Sequence, residues 1–481
     1  MISLEKYIDK KDFQFKLPLP VFDKLKLLFD MNFLTKIPFR KKVFVSSKRN
    51  TSIYFEMLLS FLVEKFSLKE RRFFANLSHK YLAISYTIET EKNGVRIAGN
   101  GVDLKNLDLA ISKSVGEFLE RYYTFEISKE DRKYLIEKKI SYLGENSIKH
   151  FRDYHDFSAN QYEAFPKRKI IDSESNLLMA PVKNLFDNKN IFYPAQYIFW
   201  GNKENFKEEK FLANVTTSGC AGGFSLDSAT LSAIYENVER DSFFCYWLTK
   251  SVPKIIDIDI SSIAIYEKLL QVIQNTDYKI FVLDTTTDLN ISSCICVLYN
   301  PISGGLCVSG SCNVNMQKAI ENSVTEIVSS LSLLNFPPET VFNLENYQPF
   351  ITRGIGRKER LELWANETDF SKINFLLSGE KKKLSTYEQK FFLNKKEELD
   401  FVINIFKNKK NEYENIYQYQ VKSRFLQKLG FYVVRVVIPK LYPLYLSENQ
   451  AFTESLRLKE FNLWKNGVEI FNVNTDPHPF P

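Results

Sequence analysis

The sequence predicts an α+β fold in which helices cover sheets and the two halves of the chain resemble each other. Three observations predict it. Segments of strand character and of helical periodicity alternate through the middle of the chain. One helical pattern, Ala-x6-Glu-x-x-Glu-Arg, occurs twice, at Ala110–Arg121 and at Ala229–Arg240. Residues 1–75 are aromatic and basic and read as an N-terminal helical extension, ahead of a main domain at 76–481.

Taken in order, Ser52–Phe66 has apolar residues at helical spacing and predicts a helix packed on the main domain. Tyr81–Ile88 alternates as a strand does. A glycine turn at Gly99-Asn100-Gly101 then leads into the first repeated helix. Ser128 is placed to cap a further helix over 129–140, whose first turn is acidic. Residues 144–166 are polar and turn-like, and 179–200 read as strands with loops. A second glycine turn, Gly219–Gly223, precedes the second repeated helix, 229–247. Strands are expected at 254–260, 279–284 and 292–299, with a helix at 261–273 between the first two. An amphipathic helix follows at 315–334, and Pro337-Pro338 prevents its extension. A polar loop near 366–382, a helix within 383–410 and a valine-rich strand at 431–438 complete the domain. The tail from Phe471 has no periodicity.

Composition narrows the function. With 44% hydrophobic and 15% aromatic residues in 481, the chain can bury a large core. Its net charge of +7 is spread along the chain, and the basic runs at Lys381–Lys383 and Lys407–Lys410 are short, which argues against nucleic acid as a partner. No apolar run is long enough to span a membrane, and the N-terminus lacks the apolar core of a signal peptide, so a cytoplasmic location is expected. Six cysteines are too few for a disulfide framework. Cys294, Cys296, Cys307 and Cys312 read as buried strand thiols rather than zinc ligands, given only four histidines. Neither a Walker loop nor a kinase motif set is present.

The repeated pattern carries the chemistry. Residues three and four apart share a helix face. Glu117, Glu120 and Arg121 therefore project together from one helix, and Glu236, Glu239 and Arg240 from the other. Both segments are otherwise apolar, and buried carboxylates are costly unless paired or bound to a cation. Four of them facing one cavity suit hard divalent ions, and the two arginines suit a polyphosphate. The plainer alternative is i,i+4 ion pairing on solvated faces, which the repetition in register makes less economical.

At these residues the chain resembles the YcaO-domain family. The segments GNGVDLKNLDLAISKSVGEFLER and TSGCAGGFSLDSATLSAIYENVERDSFFCYW look like its two signature helices. YPAQYIF from Tyr193, LDTTTDLNIS from Leu283 and YVVRVVIPKLYPLYL from Tyr432 follow in the family's order. The ending PHPFP resembles the proline-rich C-terminus of the azoline-forming cyclodehydratases, and the likeness runs from about Tyr81 to Pro481.

The resemblance implies a pseudo-symmetric YcaO-like fold that binds ATP and Mg2+. It implies metal ligands at Glu117, Glu120, Glu236 and Glu239, with Arg121 and Arg240 near the phosphates. A later family helix carries Arg and Glu four apart. Glu326 stands at the Glu position, but Asn322 stands at the Arg position, which weakens the phosphate site or calls for another cation. The resemblance also implies that the Pro481 carboxylate acts as base, with His478 beside it. The implied substrate is a ribosomal precursor peptide whose Cys, Ser or Thr residues become thiazoline or oxazoline rings. The implied partners are a leader-binding protein like ubiquitin-activating enzymes and a flavin-dependent dehydrogenase, and a homodimer stays open. The alternatives are a thioamide- or amidine-forming YcaO enzyme, and a non-catalytic scaffold.

Overall fold

The computed structural model describes residues 53–480 apart from 78–79, 169–172, 202–205, 207–211, 213–214, 260–261, 332–345, 410–412 and 414. Residues 1–52, most of the expected N-terminal extension, and Pro481 lie outside the described residues.

Helix α1 (Ile53–Phe66) leads into an antiparallel meander of β1 (Lys69–Leu77), β2 (Lys80–Lys92) and β3 (Val95–Asp103). Asn93 and Gly94 both have positive φ, the backbone a tight hairpin needs between β2 and β3. Leu62, Val63 and Phe66 of α1 share a core with Phe118, Leu119 and Ile88. The division expected at residue 75 therefore falls inside β1, and α1 packs into the main core.

The first repeated helix is α2 (Leu107–Phe125), capped by the Asn106 side chain. It lies directly on β3. A Cβ at Gly99 would stand 2.0 Å from the Ser114 carbonyl oxygen, and one at Gly101 would stand 1.8 Å from that of Ala110. These glycines therefore serve strand-to-helix contact inside β3, not the turn the sequence suggests.

After α2 the expected helix over 129–140 does not form. Ser128 does accept a hydrogen bond from the Asp131 N–H, but the buried Asp131 carboxylate is held by the Tyr419 hydroxyl and the Lys422 N–H, at 2.6 and 2.8 Å. After one 3-10 turn the chain becomes β4 (Ile136–Lys139). Tertiary contacts override local propensity here.

A large antiparallel sheet follows the order β4, β6 (Asn176–Asn184), β14 (Tyr417–Gln420), β15 (Tyr432–Val437), β8 (Cys220–Gly223), with β7 (Asn190–Pro194) flanking β6. Between β4 and β6, β5 (His155–Asp156) pairs with β16 (Glu454–Ser455). The second repeated helix, α3 (Leu226–Leu248), is apolar nearly all round and buries most of its length.

The third sheet has the order β12 (Leu306–Cys312), β11 (Ser293–Tyr299), β10 (Lys279–Asp284), β9 (Lys254–Asp257), β13 (Lys381–Lys383). Helix α4 (Ala264–Ile273) and helix α5 (Met316–Ser330) cover it, and α5 also packs against β2 and β3. Helices α6 (Arg357–Ala365), α7 (Lys395–Asn408) and α8 (Leu456–Asn466) complete the domain.

The arrangement is pseudo-symmetric. Helix α2 touches the β2–β3 hairpin on one side and β8 and β15 on the other. Helix α3 touches β11 and β12 on one side and the same β8 and β15 on the other. The shared edge brings the two helices side by side. Among the described residues no helix is long and apolar enough to cross a membrane.

Candidate active site

The repeated residues meet in one chamber and are held alike. Glu117 accepts a hydrogen bond from the Asn100 N–H of β3 and pairs with Arg121 at 2.5 Å. Glu236 accepts from the Gly219 N–H at 2.9 Å and pairs with Arg240 at 3.4 Å. Gly219 has a φ of +79°, so a left-handed turn aims its N–H at α3. Glu239 is 8% exposed and lies 3.1 Å from Arg240.

Electrostatics tie the carboxylates together across the halves. Burial pushes the Glu120 carboxyl well above the usual range, and Glu236 and Glu117 push it further, against Arg121 and the Gly222 N–H. Burial likewise raises Glu239, with Arg240 opposing and Glu326 and Glu236 reinforcing. Glu326 of α5 joins them, pushed up to about 7 by burial, with Arg240 opposing and Glu236 and Glu117 adding repulsion. Its side chain is exposed, so solvent partly screens these effects. Arg240 is held charged by Glu239, Glu236 and Glu326 despite its burial.

The C-terminal tail enters this chamber. Residues 477–480 are buried although they form no regular structure. The Asn474 N–H donates to the Leu248 carbonyl at 2.8 Å, and the Trp364 indole donates to the Pro477 carbonyl at 2.8 Å. The Phe480 ring packs on Phe243 at 4.5 Å and lies under the Arg240 guanidinium at 4.5 Å. Gly310 of β12 makes room, since a Cβ there would meet Phe480 at 2.9 Å and Cγ of Glu239 at 3.3 Å.

His478 is fully buried among Phe243, Phe244 and Tyr445, with Nε2 3.1 Å from the Tyr445 carbonyl oxygen. Burial holds it well below its ordinary pKa, so it is neutral. The ring sits in an anchoring box rather than in the open chamber. The expected base, the Pro481 carboxylate, lies outside the described residues.

Several features suit a metal–polyphosphate ligand. Glu239 Oε1 and the Nε atoms of Arg121 and Arg240 are buried without hydrogen-bond partners. Mutually repelling glutamates raised above their usual range gain from divalent cations. Among the described residues no three acidic, cysteine or histidine side chains form a ready-made cage.

Two chamber residues escaped sequence reading. Arg435 of β15 is 4% exposed, donates to the Thr216 carbonyl at 2.8 Å and leaves Nε unpartnered. With Arg240, Asn237, Ser218 and Tyr442 it lines a small cavity of about 30 Å3. An arginine inside a valine strand was the available signal. Arg357, at the start of α6, lies within electrostatic reach of Glu117, Arg121 and Arg240. It lies outside both repeats, and no motif marks it.

Residues 105–442 match the family model described as YcaO cyclodehydratase, ATP- and Mg2+-binding. Among solved structures, a heterocyclase in complex with substrate and cofactor is similar at 18% identity and a TM-score of 0.69, covering 87% of this chain and 57% of that one. The heterocyclase TruD is similar at 18% identity and a TM-score of 0.57, covering 77% of this chain and 50% of that one. YcaO from Methanopyrus kandleri, bound with AMPPCP and Mg2+, is similar at 10% identity and a TM-score of 0.56, covering 80% of this chain and 91% of that one. The chain thus spans about half the length of the two heterocyclases, and at these identities the likeness establishes the fold. No curated protein sequence matches.

Proposed function

The chain belongs to the YcaO cyclodehydratases, a family that binds ATP and Mg2+, and from that premise we propose that it cyclises Cys, Ser or Thr residues of a ribosomally made precursor peptide to thiazolines or oxazolines. The observation that carries the reading is the convergence of Glu117, Glu120, Glu236, Glu239 and Glu326 on one chamber that the buried tail enters.

In this reading the glutamates hold Mg2+, and Arg121 and Arg240 face the phosphates. ATP supplies the phosphoryl group that makes the backbone amide oxygen a leaving group, and Mg2+ neutralises the phosphate charge. The peptide's thiol or hydroxyl gives up its proton and attacks the preceding carbonyl carbon, forming a C–S or C–O bond while the C=O π bond opens to an oxyanion, which would take the γ-phosphoryl group of ATP. The amide nitrogen gives up its proton, the C=N bond forms and the oxygen departs with phosphate. Peptide and ATP thereby become azoline peptide, ADP and phosphate, and the peptide loses one water. The chain's task is positioning and charge neutralisation, so no protein nucleophile is needed.

The tail contributes the proton acceptor at Pro481. His478 acts as a positioning residue, fixing the tail by its buried ring. A leader-binding partner like ubiquitin-activating enzymes would deliver the peptide, and a flavin-dependent dehydrogenase would oxidise the rings. Asn322 favours a second reading, a scaffold that binds peptide or partner without catalysis.

The test is phosphate release from Mg2+–ATP by the full chain with a Cys-rich precursor peptide and its leader-binding partner. A chain lacking residues 477–481 serves as the comparison. Loss of one water per ring, matched to phosphate release and abolished by the truncation, is the expected result. Phosphate release without water loss would move the protein to another amide-activating reaction. Absence of both ATP binding and hydrolysis would leave the scaffold.

A further inference from the structure

The chamber is short of uncommitted positive charge. Arg121 is engaged by Glu117 at 2.5 Å and by the Ala98 carbonyl at 2.9 Å. Arg240 is engaged by Glu236 and Glu239 at 3.4 and 3.1 Å. Position 322, one helical turn before Glu326, carries the neutral Asn322. A polyphosphate entering among five carboxylates needs a cation that is not already neutralised.

Arg357 is placed to be that cation. It is the first residue of α6, is exposed, and has no ion-pair partner among the described residues. Arg357, Arg360 and Trp364 share one helix face by their spacing of three and seven. That face follows the docked tail. Trp364 binds the Pro477 carbonyl, and Arg360, 1% exposed, lies 3.6 Å from Glu448, which accepts from the His478 N–H at 3.3 Å. One turn further along the same face stands Arg357, and α6 packs on β12, whose Gly310 lies against Phe480 and Glu239 of the chamber. There Glu117 is its nearby carboxylate, while Arg121, Arg360 and Arg240 crowd it with like charge. An arriving anion relieves that crowding.

We propose that Arg357 binds the ATP phosphates and supplies the positive charge that position 322 lacks. The assignment rests on the ATP-dependent reading above, and it makes Asn322 a relocation of charge instead of a mark of lost activity. A guanidinium suits the role because its planar fork grips two phosphate oxygens at once.

The test is calorimetric binding of Mg2+–AMPPCP, and separately of adenosine, to the full chain. Arg357→Ala is expected to weaken Mg2+–AMPPCP binding about ten- to hundredfold, the range for losing a charged hydrogen bond. Arg357→Lys should lose less. Adenosine affinity and melting temperature should not move, because the side chain is exposed and adenosine has no phosphate. Lys358→Ala, which removes the next cation on α6, should leave binding unchanged. Adding Asn322→Arg to Arg357→Ala should recover affinity.

Binding by Arg357→Ala within twofold of the parent chain would overturn the assignment alone. So would an equal loss for adenosine or for Lys358→Ala. No recovery with Asn322→Arg would overturn the link to position 322. A parent chain that binds no Mg2+–AMPPCP would overturn the ATP-dependent reading and this assignment with it.

Discussion

Helices α2 and α3 solve the same problem with different neighbours. Each holds a glutamate by a backbone N–H and an arginine four residues on. In α2 the N–H belongs to Asn100 in a strand, and in α3 it belongs to Gly219 in a left-handed turn. The arginines then diverge. Arg121 continues to the Ala98 carbonyl of β3, whereas Arg240 spreads over the Phe480 ring. Among the described residues α3, and not α2, meets the tail and lines the Arg435 cavity. The shared part of the two helices is a carboxylate frame, and the unshared part gathers the tail and Arg435 on α3.

The sharpest way to break this comparison is to remove one carboxylate from each half. Glu239→Gln and Glu120→Gln should each lower phosphate release by on the order of 10²–10³, if both serve the same cation–phosphate cluster. Full turnover with Glu120→Gln would show that the halves are unequal in catalysis as well as in surroundings. The next contrast uses the two close-approach glycines. Gly99→Ala places a Cβ 2.0 Å from a backbone oxygen and should cost at least about 3 kcal/mol in denaturant unfolding. Gly310→Ala meets mainly the movable Phe480 ring, at 2.9 Å. It should leave global stability nearly intact, expose the tail to carboxypeptidase and reduce ring formation.

Protonation supplies a smaller test. Burial raises Glu326 to about 7 and Glu448 to about 8, above their ordinary range. Such groups bind more protons folded than unfolded, so the stability they contribute is present at low pH and lost as pH rises through those values. The histidines held low in the fold, His155 and His478, act in the opposite sense only below about pH 6.5. The metal-free chain should therefore lose melting temperature between about pH 6.5 and 8, and Mg2+–ATP should restore the part due to Glu326. A flat profile in that window would deny that the fold raises these two carboxyls. The smallest difference should separate the arginines. Arg240→Lys should lower turnover about threefold more than Arg121→Lys, because only Arg240 stacks on an aromatic ring.

Much of this could be read in advance wherever local periodicity and final packing agree. The two glutamate helices, the strand at Lys279–Asp284 and the valine strand at Tyr432–Val437 satisfy both. The segment 129–140 fails because Asp131 is claimed by Tyr419 and Lys422 from the far end of the chain, a contact that no window of sequence contains. Strand β12 was hidden for a similar reason. Its small residues Ser309, Gly310 and Ser311 carry little strand propensity and are selected by what they must admit, the Phe480 ring and the Ser323 backbone. The chamber's carboxylates announced themselves through repetition, while Arg357 and Arg435 act from single positions with no repeat to betray them.

The interleaving of β15 with β8 bears on the order in which the molecule can be made. Arg435 and Cys220 pair across 215 positions, and Lys422 reaches back 291 positions to Asp131. At ordinary synthesis speeds the first glutamate helix waits on the order of tens of seconds for the strand that joins it to the second. During that wait its carboxylate face has no partner half, and its local support comes from α1 and the β2–β3 hairpin. Assembly is therefore of high contact order and late. Slowing or pausing synthesis ahead of residue 417 should lengthen the life of a half-built, aggregation-prone chain rather than yield an early functional one.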